Sequence, residues 1–223
     1  MKRNARQNSN VPQAAFGLKA HSGWAALVVL GKVDGDLQVL ERRRLELVEQ
    51  EWQKQPYHAA EELSSAEARV LVKSGIKVTR KTALREVRTA VQRAREYGFE
   101  VRACGLLAGT PMPNWSVDEI LTVHFRMHKA EGVLFRDVLA EAAEACDLRL
   151  AAVPEKTLLE YAESVLATKA SALLQKVGEL GKTVGAPWGK DQKDATIAAM
   201  IALQGTATRM RSNDFRGRAA MRR

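Results

Sequence analysis

The chain has 223 residues, a formal net charge of +9, 46% hydrophobic residues and only 5% aromatics. That is enough to bury a mainly aliphatic core and too apolar for wholesale disorder. The longest apolar run near the start, Trp24 to Leu30, is too short to span a bilayer and too deep to be a leader. Cys104 and Cys146 lack metal-ligand spacing, so a soluble cytoplasmic protein with free thiols and no membrane partner is expected.

The positive charge is unevenly spread. Residues 1–13 carry a net +3 and residues 205–223 a net +5, leaving about +1 for residues 14–204. Both ends are polar, Arg-rich and without periodicity, so 1–13 is expected to be a disordered basic arm and 205–223 a disordered tail. Within the body, residues 69–95 hold nine basic side chains against Glu86 alone.

Residues 14–20 and 24–32 are apolar strands separated by a turn at His21, Ser22 and Gly23. The "VDGD" run supplies an Asp-Gly hairpin into a third strand, "LQVLERRRLELV". Leu37, Val39, Arg43, Leu45 and Leu47 fall on one side of that strand. Leu40 and Val48 break the alternation, which predicts a bulge or a doubly covered strand. "SSAE" at Ser64–Glu67 is a capping box for a short helix that Ser74 and Gly75 end, and a second helix follows Thr82 and closes at Gly98. "EVRACGLLAG" is a buried strand. Ser116 caps a further helix, which Gly132 interrupts, and "DLRLAAVP" is a fifth strand ending at Pro154. Two helical segments cover about 155–180, and a last helix starts near Asp191. The order β-β-β-α-β-α-β-α predicts an α/β fold: one mixed five-stranded sheet with helices on both faces, spanning 14–204.

Two stretches carry a resemblance. "FGLKAHSGWAALVVL" (Phe16–Leu30) resembles the opening strand-turn-strand of the Holliday-junction-resolvase branch of the ribonuclease H-like superfamily. Gly17 and Ser22-Gly23-Trp24 match, with Lys19 at the place of an aspartate. "KDQKDATIAAMIAL" (Lys190–Leu203) is similar to the helix bearing the last carboxylates of that branch, with Asp191, Asp194 and Ala195 matching; Ala130–Lys156 resembles the preceding helix–strand unit. The resemblance implies a ribonuclease H-like topology. In its active members it also implies phosphodiester cleavage by two divalent ions about 3.5–4 Å apart, held by shared carboxylates. The first strand offers no acid from Ala14 to Ala20, and the fourth none after Glu100. Asp191 and Asp194 match, with Glu131 or Glu155 as distant substitutes. A degenerate, non-catalytic member is therefore expected, with no metal or other cofactor. Lys19 is left either to contact a phosphate or to pair with Asp194.

The expected partner is nucleic acid or another polyanion. The ladder Arg69, Lys73, Lys77, Lys81, Arg85 and Arg88, with Lys19 and the tail residues Arg209 and Arg211, would contact phosphates. The alternatives are a Mg²⁺- or Mn²⁺-dependent phosphodiesterase centred on Asp191, Asp194 and Glu131, and a scaffold whose arginine tail docks on an acidic protein. Three smaller features carry less. His21 and Ser22 could be base and nucleophile, or simply a polar turn. His124 and His128 lie four apart with Glu131 one turn on, a spacing that suits zinc but recurs by chance. "QPYH" and "APWG" are aromatic-proline turns of the kind that lid a core.

Overall fold

The structure, a computed structural model, describes residues 11–205. The first three strands, β1 (Gln13–His21), β2 (Trp24–Val33) and β3 (Asp36–Glu46), form an antiparallel meander. Asp34 (φ 51°) and Gly35 (φ 95°) make the two-residue turn with both central residues left-handed, which matches the twist of the flanking strands. β4 (Glu100–Ala108) and β5 (Arg149–Pro154) add in parallel beside β1, giving the order β3-β2-β1-β4-β5.

Helix α1 (Ser65–Glu96) and, after the short α2 (Val117–Leu121), helix α3 (His124–Glu144) cover one face of the sheet. There Phe16, Leu18, Leu27, Leu45 and Leu106 meet Ala83, Val87, Phe135 and Leu139. The other face is covered by α4 (Leu158–Leu166), α5 (Ala170–Val184) and α6 (Lys190–Gln204), packed on Val28, Leu30, Leu107 and Val153. Among the described residues no helix is long and apolar enough to cross a membrane.

Three local expectations change. The register of β2 against β3 slips at Val29/Leu30, leaving Leu40 as an extra residue. The bulge is as expected, but it switches faces: Leu37 and Val39 pack under α6, whereas Leu45 and Leu47 pack under α1. Arg42 consequently reaches the carbonyls of Val184, Ala186 and Pro187, while Arg43 approaches Glu86 on the opposite face.

Secondly, α1 is one unbroken helix, capped by the reciprocal Ser64–Glu67 pair. Gly75 keeps helical geometry and is buried, where a Cβ would stand 3.0 Å from the Trp52 ring and 3.3 Å from Pro56. The glycine is there for close approach and not to stop the helix; the left-handed glycine that closes it is Gly98. Thirdly, α3 runs through Gly132, and the break falls earlier, at Thr122 and Val123. The aromatic turns cover the core: Tyr57 is buried, and Trp188 donates its indole N–H to Val177 over Gly181.

Candidate functional site

Alternation along β1 sends Phe16 and Leu18 toward α1 and α3, and Gly17, Lys19 and His21 toward α6. Gly17 and Gly105 decide how closely α6 lies. A Cβ on Gly17 would stand 1.7 Å from the carbonyl oxygen of Ala195, and one on Gly105 2.1 Å from that of Ala198. With the helix backbone resting on bare sheet, the first turn of α6 reaches the C-terminal end of β1. Asp191 and Asp194, three residues apart and so on one helical face, meet Lys19 there.

Lys19 Nζ lies 2.7 Å from Asp194 Oδ2, 3.1 Å from Asp191 Oδ1 and 3.5 Å from Glu155 Oε1. Glu155 follows β5, whose C-terminal end is at the same sheet edge as that of β1 because the intervening strand β4 is parallel to both. Lys190 adds a second ammonium, 2.5 Å from Asp194 Oδ2. Lys19 is only 6% exposed. Burial acts to lower its pKa, but the hydrogen bonds and charges of Asp194 and Asp191 more than offset this, and the pKa is raised. The lysine stays charged.

Three acids therefore converge where only half a site was expected, and the third is Glu155. Glu131 is elsewhere. It is buried, and its carboxylate accepts the backbone N–H groups of Tyr57 and His58 and bonds the His58 ring. It cannot serve with Asp191 and Asp194 as a catalytic set.

A pair of divalent ions would have to compete with two ammonium groups in this cluster. The carboxylate oxygens that would ligate them already face an ammonium, and three carboxylates stand against two lysines.

Beside the cluster, Glu155, Lys156, Lys190, Lys193 and Asp194 border a cleft of about 530 Å³. His21 stacks on Trp24 with ring centres 4.2 Å apart. The Arg44 guanidinium lies 4.1 Å from the Trp24 ring centre, and His21 Nε2 is 3.2 Å from Asp191 Oδ2. His21 is thus directed at Asp191, and among the described residues no hydrogen bond joins it to Ser22.

No family model matches the sequence, and no curated protein matches it. Among solved structures, the chain is similar to Thermus thermophilus RuvC. The TM-score is 0.51 at 12% identity over 89% of this chain and 100% of that one. A second structure, T. thermophilus RuvC in complex with a Holliday junction substrate, matches with the same score and identity over 89% of this chain and 99% of that one. The fold is that of a mixed five-stranded α/β sheet of ribonuclease H-like topology.

On this fold, the other expected contact residues are split by the sheet. Lys19 is under α6, nearly buried and paired with Asp194. The ladder is on the far face, on α1. Lys73, Lys77, Lys81 and Arg88 are exposed there. Arg69 is held 2.7 Å from Asp118, and Arg85 lies 3.3 Å from Glu86 and 3.9 Å from Glu49. Lys73, Lys77 and Lys81 take part in none of these ion pairs. Arg209 and Arg211 lie outside the described residues, as do residues 1–10 and 206–223 of the expected basic ends. Glu155, missed as a close neighbour of Lys19, had no local signal: its loop position becomes informative only once β1, β4 and β5 are known to be parallel.

Proposed function

We propose that this chain binds nucleic acid on a ribonuclease H-like frame whose catalytic corner is closed by a lysine, so that it does not hydrolyse the strand by the paired-metal route. The observation that carries the reading is Lys19 Nζ within 3.5 Å of all three carboxylates at the sheet edge. Nucleic acid as partner is supported by Lys73, Lys77 and Lys81, exposed on one face of α1. The similarity in fold to a chain solved on a Holliday junction adds to it. Arg209 and Arg211 would extend the contact from the tail.

The test is binding of duplex, branched and single-stranded nucleic acid across a salt series. If Lys73, Lys77 and Lys81 each neutralise one duplex phosphate, the triple Lys→Gln variant lowers the slope of log affinity against log salt by about 2.7, at roughly 0.9 per contact. Indifference to every nucleic acid sinks the reading and leaves docking of the basic tail on an acidic protein.

The convergence of Glu155, Asp191 and Asp194 favours a second reading, a metal-dependent phosphodiesterase with an altered carboxylate site. It requires strand cleavage with Mg²⁺ or Mn²⁺ that Asp194→Asn abolishes.

A further inference from the structure

A second cluster, sharing no residue with the Lys19 corner, forms where α3 begins. His124 and His128 occupy successive turns of α3, with their Nε2 atoms 3.1 Å apart and ring centres at 4.6 Å. His58, from the short 3-10 helix His58–Ala60, brings its ring to 5.0 Å from that of His124 and 4.5 Å from that of His128. One nitrogen from each of the three lies within 4.8 Å of the other two.

Behind His58 stands Glu131. Its Oε2 is 2.8 Å from His58 Nδ1, and its Oε1 accepts the N–H groups of Tyr57 and His58 at 3.1 and 3.2 Å. An ionised carboxylate can only accept, so the His58 proton sits on Nδ1 and the Nε2 lone pair points away from Glu131. That Nε2 is buried and has no hydrogen-bond partner among the described residues. A second carboxylate, Glu61 Oε1, lies 3.8 Å from His124 Nδ1. Imidazoles turned nitrogen-to-nitrogen, with carboxylates behind two of them, are poorly explained as packing. They match a metal-ligating set in which an outer hydrogen bond, here Glu131 on His58, fixes a ligand's tautomer.

We propose that His58, His124 and His128 bind one transition-metal dication, best Zn²⁺, through their Nε2 atoms, with Glu131 orienting His58. The donors select the class: three neutral nitrogens suit zinc and its neighbours, while Mg²⁺ and Ca²⁺ require oxygen. Tetrahedral zinc at 2.0–2.1 Å from each nitrogen needs nitrogens about 3.3 Å apart. His124 and His128 are already close to this, and both rings are exposed and free to close on His58. Three protein ligands leave one position for water. The ion would tie α3 to the 51–60 segment, which packs on α1 at Gly75 through Trp52 and Pro56.

The test uses the untagged full chain, titrated with Zn²⁺ alone by calorimetry and with Co²⁺ alone by visible absorption. Binding of one ion per chain is expected, with the absorption of tetrahedral Co²⁺ and a rise in Tm that Mg²⁺ does not produce. His124→Ala and His128→Ala, at exposed positions, should each weaken Zn²⁺ binding by at least about tenfold, and Glu131→Gln by about 10–100-fold. If Glu131→Gln fails to fold, the two exposed variants decide. The proposal is overturned if Zn²⁺ does not bind at micromolar concentration, or if His124→Ala and His128→Ala bind it as the wild type does.

Discussion

Lys19 and Asp194, 175 residues apart in sequence, are joined by a 2.7 Å hydrogen bond in a corner where both are nearly buried. The pair locks the first strand to the last helix, and its strength comes from geometry that solvent barely screens. Removing one partner of such a pair typically costs about 3–5 kcal/mol, because the other charge is stranded, whereas replacing both with apolar groups can be nearly neutral. Because Lys190 still pairs with Asp194, Lys19→Met should destabilise by less than that, about 1–3 kcal/mol, in urea unfolding. The double variant Lys19→Met/Asp194→Leu should lose less than the sum of the singles, with a coupling of at least about 1 kcal/mol. Strict additivity would show that the contact contributes nothing.

The same contact sets a pH dependence at the alkaline end. Because the folded-state pKa of Lys19 is raised, its contribution is fully present below the unfolded lysine value of about 10.4. Between that value and the folded one, the native state holds a proton that the unfolded chain has lost, so stability falls as pH rises. Wild type should lose stability above about pH 10.4 more steeply than Lys19→Met. Parallel curves for the two would count against a coupled, charged Lys19.

Restoring an acid at this position tests whether Lys19 keeps metal out of the corner. Lys19→Asp would leave four carboxylates facing one another with Lys190 and His21 beside them, which lowers Tm by like-charge repulsion and creates oxygen ligands for a hard cation. Mn²⁺ or Mg²⁺ should then raise the Tm of the variant by several degrees and leave the Asp194-paired wild type unchanged at that cluster. A wild-type response that His124→Ala leaves intact and Asp191→Asn removes would mean that Lys19 does not exclude the ion.

What could be read from sequence divides by range. The Asp34–Gly35 hairpin and the Ser64–Glu67 and Ser116–Glu119 caps are decided by residues within four positions of one another, and each forms as expected. The antiparallel pairing of β1, β2 and β3 follows from their short turns. The errors are long-range. Gly75 reads as a stop until Trp52, 23 residues earlier, is seen filling the space a Cβ would need. Glu131 reads as a partner for Asp191 because both are acids near matching segments, yet it is on α3, where backbone N–H groups and His58 claim both oxygens. His58 itself has no motif; only folding brings it to the His124–His128 pair. The site was half legible because helical spacing shows which residues share a face, but not what stands opposite.

The glycines of β1 and β4 give a last test, on the geometry that places α6. Ala195 presents its carbonyl oxygen 1.7 Å from where a Gly17 Cβ would stand, and backbone cannot swing aside as a side-chain tip can. Gly17→Ala must push α6 off the sheet, at a cost of about 3 kcal/mol, the upper end of ordinary overpacking. It also draws Asp191 and Asp194 away from Lys19, so the alkaline stability loss should shrink in the same variant. Gly178, within α5, meets nothing within 4 Å of its hypothetical Cβ. There Gly178→Ala should stabilise by about 0.5–1 kcal/mol through helix propensity alone. Opposite signs for one chemical change, measured by urea unfolding of the two variants, would tie the close approach of α6 to Gly17; equal effects would mean that the helix is held elsewhere.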